Sequence, residues 1–155
     1  MIMTLLTVAQ AFIIPNNHTH QWVIGTFDER RISAFDLRSI TKSGDTFVIV
    51  QRTFGPRIEG KQLEYTTQYF FEVNCARGTY RIAGGNVQRS SGHWTTPSDY
   101  GDAFEPLPGG RTVADHAYRI VCEVERDHGR DFNDFSQVIA THRMLVDGSH
   151  TTLPW

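Results

Sequence analysis

The 155-residue sequence lacks several features that would assign it to a common class of protein. Its net charge is only −2 and its isoelectric point is about 6.4, so it has no basic excess and we expect no nucleic-acid partner. Charged residues make up 21% and hydrophobic residues 39%, which excludes a disordered, coiled-coil or collagen-like chain. A single globular domain of ordinary size fits these values.

The short signatures of common catalytic and metal sites are also missing. The sequence contains no HExxH zinc motif, no GxSxG nucleophile elbow and no CxxC pair. We therefore expect no catalytic residues, no metal and no cofactor, and a protein that is not an enzyme. His18 and His20 could share one side of an extended segment as a weak metal site, but two solvated loop histidines are the simpler interpretation.

No hydrophobic run is long enough to cross a membrane. The first fifteen residues, MIMTLLTVAQAFIIP, are uncharged, but a transmembrane helix needs about 20 residues. Ala9-Gln10-Ala11 resembles the cleavage site of a secretory signal, although the positively charged leading region is absent. Residues 1–14 are therefore either a signal remnant or an N-terminal strand, and residues 15–155 are predicted to form one domain.

Only two cysteines are present, Cys75 and Cys122. In an oxidising compartment such a pair can form one disulfide. That bond would close a loop of about 48 residues and contribute about 4 kcal/mol in the chain-entropy model. Two buried free thiols are the alternative, because an unpaired cysteine packs as a small hydrophobic residue.

The clearest structural pattern runs from Leu63 to Cys75. Odd-numbered positions there are mostly apolar or aromatic and even-numbered positions are mostly polar, which predicts an antiparallel strand with one wet face. Shorter segments at 21–27, 33–40, 46–54 and 79–88 also have strand-forming composition.

Two helices are predicted after these strands. Thr112 and Asp115 have the spacing of a capping box, and an apolar stripe follows from Val113 to Val124. A second stripe covers residues 133–146. Strands first and helices last predict an α+β fold, an antiparallel β-sheet with two C-terminal helices packed on one face.

Residues 89–110 are rich in Gly, Pro and Ser and are predicted to form a long loop. Four ring-bearing residues lie among its polar residues: His93, Trp94, Tyr100 and Phe104. Aromatic side chains in a polar loop are typical of protein-contact hot spots. They could instead fold back and anchor the loop on the sheet. This loop is the predicted binding surface.

The middle of the chain resembles the bacterial surface-adhesin protein E-like family. The resemblance covers residues 21–123. The residues that carry it are Trp22, Phe35-Asp36-Leu37-Arg38-Ser39-Ile40, Gly44, Glu72-Val73-Asn74-Cys75-Ala76-Arg77, Pro108-Gly109 and Val121-Cys122. This sequence departs from the pattern in having no lipobox cysteine and in its second C-terminal helix.

The resemblance implies an exported bacterial envelope protein, periplasmic or extracellular, with an antiparallel sheet. It also implies a Cys75–Cys122 disulfide, dimerisation, and binding of a host matrix protein or another envelope protein. The rival hypotheses are a small-ligand-binding or enzymatic domain with a pocket lined by Tyr65, Tyr69 and His116, and a cytoplasmic protein with reduced thiols.

Overall fold

The computed structural model describes residues 20–28, 30–55, 65–89, 94–96, 100–123 and 132–146. The predicted signal remnant or strand at residues 1–14 lies outside these ranges. None of the helices in the described ranges has the length and apolar character needed to cross a membrane.

Within the described ranges, seven strands form one antiparallel sheet. Its first five strands pair in sequence order, and β6 and β7 both pair with β5. The elements are β1 (Trp22–Asp28), β2 (Arg31–Ser43), β3 (Thr46–Gly55), β4 (Tyr65–Asn74), β5 (Thr79–Arg89), β6 (Trp94–Thr95), β7 (Glu105–Pro106), α1 (Val113–Cys122) and α2 (Phe135–Val146). The α+β prediction with an antiparallel sheet and two helices is therefore confirmed.

The tight connections around β3 and β4 depend on glycine. Gly44, between β2 and β3, has φ = 59°, and Gly78, between β4 and β5, has φ = 62°. This left-handed conformation costs glycine little because it has no Cβ. A single glycine at each turn therefore lets consecutive strands reverse and pair directly.

Apolar side chains cover both faces of the sheet. Cross-strand partners share a face, so Val23, Phe35, Ile49 and Phe71 lie together on the first face, where they pack against α1. Trp22, Ile32, Ala34, Val50 and Phe54 lie on the opposite face with α2 residues Phe135 and Val138. We call these the α1 face and the α2 face.

The prediction that both helices pack on one face was wrong. Adjacent strand residues point to opposite faces, and Trp22 belongs to the α2 core whereas Val23 belongs to the α1 core. The two helices therefore enclose the sheet from opposite sides. Each helix has its own core, because the sheet separates them.

Helix α1 begins as the sequence predicts. Thr112 is its N-cap, and the Asp115 side chain bonds back to the Thr112 backbone, which completes a capping box. Asp115 also accepts a bond from the backbone nitrogen of Gly109. Hydrogen bonding from Thr112 is the main reason that the pKa of Asp115 lies below its ordinary value. The glycine-rich approach to the helix is thus already engaged by the chain's own carboxylate.

A disulfide joins Cys75, just after β4, to Cys122, the last residue of α1. Both residues are half-buried and pack against the α1 core. The disulfide prediction is confirmed, and the alternative of two free thiols is not. The C-terminal end of α1 is thereby tied covalently to the sheet.

Helix α2 is joined to the sheet without a covalent bond. Trp22 and Phe132 exchange two backbone hydrogen bonds, of 2.7 and 2.8 Å. Asp134 then caps the helix by accepting from the backbone nitrogen of Ser136. Val138 and His142 are buried on its sheet-facing side, at 0% and 1% exposure. This fastening positions the polar cluster described below.

Candidate functional site

The predicted binding segment runs along the outer edge of β5. β6 pairs with Val87 and Gln88, and β7 pairs with Thr79 and Tyr80. The two short strands thus occupy opposite ends of the same edge. The Thr96 side chain, which directly follows β6, also reaches β5, where its hydroxyl donates to the Asn86 side chain over 2.8 Å.

Tyr100 turns onto the α1 face. Its hydroxyl lies directly above Gly85, where a Cβ atom would come within 2.9 Å of the oxygen. Its ring packs edge-on against Tyr69 at 6.3 Å between centroids. This placement matches the anchoring alternative for Tyr100, since the residue is fastened to the sheet and its hydroxyl is buried.

The buried Tyr100 hydroxyl finds no hydrogen-bond partner in the part of the chain that the structure describes. An unsatisfied buried hydroxyl costs about 1–3 kcal/mol. Loss of hydration raises the pKa of Tyr100, and the neighbouring Tyr69 raises it further. Of the two predicted binding residues whose side chains the structure describes, Tyr100 is the one with an unmet polar requirement.

Phe104 lies on the other side of the same edge. Its ring packs under the Arg81 guanidinium, 5.0 Å from the ring centroid. Arg81 pairs with Glu72 over 2.5 Å and donates to the backbone oxygen of Asp102 over 2.9 Å. Arg81 therefore contacts Phe104, Glu72 and the Asp102 backbone at once. Phe104 remains 39% exposed.

We call Glu72, Arg81, Asp102, Phe104 and Pro106 the edge surface. Glu72 and Arg81 are cross-strand partners, and the neighbouring pair Val73 and Tyr80 belongs to the α1 core. The edge surface therefore lies on the α2 face, where α2 itself packs against β1 and β2. All residues from Gly101 to Pro106 are exposed.

The four predicted binding residues do not form one cluster. Tyr100 and Phe104 lie on opposite faces of the sheet edge, as their contacts with Gly85 and Arg81 show. Trp94 belongs to β6, but only its backbone is described, and His93 lies outside the described residues. The binding role predicted for all four remains a prediction.

A polar cluster that the sequence did not reveal lies where β1 begins. Asp36 is 2% exposed, and it accepts bonds from His20 Nδ1 at 2.5 Å and from the backbone nitrogens of Gln21 and Arg38, both at 3.1 Å. The buried carboxylate therefore fastens the start of β1 to β2. His20 serves as its partner here rather than in the weak metal site considered above.

Arg52 adds a second charge to this region. Its guanidinium lies 5.1 Å from the Trp22 ring centroid and 5.7 Å from that of Phe135, and its Nε donates to Gln68 over 2.7 Å. Burial lowers the pKa of Arg52, while the carboxylates of Asp36 and Asp134 oppose that change. Arg52 thus links the sheet to the first turn of α2.

The remaining predicted groups have separate surroundings. In the described ranges no three His, Cys, Asp or Glu side chains are arranged to hold a metal ion. Tyr65 lies across Gly55 and Tyr69 lies beside Gly85, whereas His116 accepts from Arg119 within α1 over 3.3 Å. His142 contacts the rings of Phe27 and Phe54.

No family model matches this sequence, and no curated protein or solved structure matches it either. The resemblance to the surface-adhesin protein E-like family therefore stays a prediction based on the residues named above.

Proposed function

We propose that this protein is an exported bacterial envelope protein that acts as a non-enzymatic protein-binding module. The observation that carries the proposal is Phe104, a large apolar ring exposed beside an ion-paired arginine on the edge surface. Aromatic and arginine side chains are enriched among the residues that dominate protein–protein binding energy. The partner is a protein.

The edge surface has the composition of a contact site. Arg81 is already oriented by Glu72 and by the backbone of Asp102, so it loses little side-chain freedom when a partner covers it. Glu72 and Asp102, which both contact Arg81, supply polar groups beside Phe104. A partner that encloses Phe104 would bury apolar area at the centre and meet charge at the periphery.

The disulfide supports the location in this proposal. Disulfides persist in oxidising compartments such as the periplasm and the cell exterior and are rare in the cytosol. The Cys75–Cys122 bond therefore favours a periplasmic or extracellular protein over the cytoplasmic alternative. The adhesin-like role, with a host matrix protein as partner or a second copy as a dimer partner, is the finer form of the same hypothesis.

The test compares two single substitutions of exposed apolar residues. Wild-type protein, Phe104→Ala and Met144→Ala are measured by surface plasmon resonance against a panel of purified matrix, plasma and bacterial outer-membrane proteins. Met144 is a matched control because it is 45% exposed, compared with 39% for Phe104, and it lies on α2. We expect at least one panel member to bind.

For that partner, Phe104→Ala should weaken binding at least tenfold, and Met144→Ala should change it less than twofold. Trp94→Ala should act like Phe104→Ala if the predicted segment binds as one unit. An equal effect of Phe104→Ala and Met144→Ala, or no binding to any panel member, contradicts the proposal.

A small polar ligand is the second candidate, and one observation favours it. The Tyr100 hydroxyl is buried beside Tyr69 without a partner in the described chain, and a ligand could supply the missing hydrogen bond. A thermal-shift screen with neutral sugars and amides should then raise the melting temperature of the wild-type protein. Tyr100→Phe should abolish the increase. A shift that survives Tyr100→Phe contradicts this candidate.

A further inference from the structure

The short helix α1 packs on the sheet mainly through small or half-buried side chains, and the disulfide adds a covalent bond at its end. It has ten residues, and isolated helices shorter than about 12–15 residues are marginal in water. Its buried side chains are Ala114, Ala117 and Val121, two of which contribute only a methyl group. Val113, Tyr118 and Ile120 pack against the same core but are only half-buried, so much of the noncovalent docking of α1 comes from small or partly exposed side chains.

The sheet surface beneath α1 is strongly apolar. Val23, Phe35 and Ile49 on that surface are each 0% exposed. If α1 leaves, this surface meets water, so its burial is the main favourable term for docking. The covalent bond at Cys122 holds the helix within reach of this surface and removes most of the entropy cost of bringing it there.

The bond is placed where a reductant can reach it. Cys75 and Cys122 are both half-buried rather than enclosed. Cys75 directly follows β4, and its backbone nitrogen donates to Asp45 over 3.1 Å, so its position belongs to the rigid sheet. Cys122 ends the helix. Cleavage of the bond would free the helix end and leave the sheet end in place.

From these observations we infer that docking of α1 is gated by oxidation of Cys75 and Cys122. With the bond formed, α1 covers its face of the sheet. With the bond reduced, α1 undocks while the sheet and α2 stay folded. In a reducing compartment the chain would carry an open apolar face, and it would close that face only after export to an oxidising one.

The gating step is a thiol–disulfide exchange with a dithiol as the reductant. One thiolate of the dithiol attacks a cysteine sulfur, breaks the bond between the two cysteines and forms a mixed disulfide. The second thiol of the dithiol then closes a cyclic disulfide and releases that cysteine. Two electrons and two protons pass to Cys75 and Cys122, and the dithiol is oxidised.

Helix α2 provides the internal comparison. It is fastened by the Trp22–Phe132 backbone pair and by Arg52 against Phe135, neither of which involves sulfur. Reduction should therefore leave its protection unchanged. The inference rests on the packing and the disulfide and not on the protein-binding proposal, since its test contains no partner protein.

The test is hydrogen exchange measured by mass spectrometry on the full chain, oxidised and after reduction with dithiothreitol. We expect the amides of Ala117–Cys122 to exchange at least 100-fold faster after reduction. Amides at Val138–His142 in α2 and at Ile49–Gln51 in β3 should change less than threefold. A Cys75→Ala, Cys122→Ala variant should reproduce the reduced pattern without reductant.

A second variant separates gating from simple helix weakening. Thr112→Ala removes the α1 cap and keeps the disulfide, and in the oxidised protein it should accelerate the exchange at Ile120 and Val121 less than tenfold, well below the 100-fold change expected on reduction. Unchanged α1 protection after reduction would overturn the inference. Simultaneous loss of protection in α1, α2 and the sheet would also overturn it, because the bond would then stabilise the whole fold.

Discussion

Helices α1 and α2 cover opposite faces of one sheet, but they are held there by different kinds of contact. α1 presents mainly alanine and valine to the sheet and ends in a disulfide. α2 presents Phe135, Val138 and a buried His142, and it is met by the charged side chain of Arg52. Docking of α1 should therefore depend on redox conditions. Docking of α2 should depend on the buried charges and apolar side chains that contact it.

The largest loss of stability is expected when the polar contacts of Asp36 near α2 are removed. Asp36→Ala removes a buried carboxylate that accepts three hydrogen bonds and offsets the buried charge of Arg52. We expect a loss of about 3 kcal/mol, because the partly buried Arg52 charge loses one of its nearby carboxylates and three donors lose their acceptor. Urea denaturation followed by tryptophan fluorescence measures it, since Trp22 lies in this cluster.

Asp102→Ala is the control for this substitution. Asp102 is exposed and bonds to Arg81 through its backbone, so its replacement should change stability by less than about 0.5 kcal/mol. Equal losses of stability from the two substitutions would show that the hydrogen bonds of Asp36 do not stabilise the fold.

A smaller loss of stability is expected for alanine at one of two neighbouring glycines on β5, Gly85, but not at the other, Gly84. A Cβ at Gly85 would come within 2.5 Å of both the Gln68 carbonyl oxygen and the Tyr69 ring, whereas at Gly84 the nearest atom is 3.7 Å away. Gly85→Ala should cost about 2 kcal/mol through overpacking on the α1 face. The new Cβ in Gly84→Ala points to the α2 face, and this substitution should leave stability unchanged or raise it slightly. Thermal unfolding by circular dichroism compares the two, and a costly Gly84→Ala would contradict the assigned faces.

Loss of the α1 cap should have a modest effect. Thr112→Ala removes the N-cap hydroxyl and should cost about 1 kcal/mol. The pKa of Asp115 is lowered by its bond from Thr112, so that stabilisation is present above the ordinary pKa of aspartate and disappears as pH falls through the folded-state value. Urea midpoints at pH 7 and pH 2.5 test this. The wild-type advantage over Thr112→Ala should shrink in acid, and an undiminished advantage would refute it.

The smallest effect concerns Tyr100 at alkaline pH. Its pKa is raised by burial and by Tyr69, so the folded state holds this proton more tightly than the unfolded state. Stability should therefore fall as pH rises from about 10, the ordinary tyrosine value, toward the folded-state pKa. Tyr100→Phe should lose less stability between pH 9 and pH 11 than the wild type. Tyr118→Phe, on α1, is the control and should follow the wild-type curve.

The sequence predicted the elements better than their arrangement. The alternation from Leu63 to Cys75 predicts β4, observed at Tyr65–Asn74, and Thr112 with Asp115 predicts the start of α1. Both predictions use neighbouring residues, for which the periodicity of the backbone is decisive.

Which face of the sheet each helix covers depends on contacts between distant residues, but the sequence carries one signal for it. Trp22-Val23, Ile49-Val50 and Phe70-Phe71 are consecutive apolar pairs, which indicate strands buried on both faces. A second helix on the opposite side follows from that pattern. The prediction of a strand with one wet face described only part of the sheet.

The Asp36 cluster was not predictable from local pattern. Asp36 and Arg52 lie in strands whose polar residues normally face water, and His20 is 16 residues from Asp36. Only pairing of β1, β2 and β3 brings these groups to one place. Tyr100 illustrates the same limit, because the burial of its hydroxyl depends on the missing Cβ of Gly85 in β5, 15 residues earlier in the sequence.

The most direct test of the exported, disulfide-closed domain is an intact mass. The full-length gene is expressed in a Gram-negative host, the cells are fractionated, and the protein is alkylated without reduction. We predict a periplasmic product that carries no label on Cys75 or Cys122. A cytoplasmic product that carries two alkylated thiols would contradict the account.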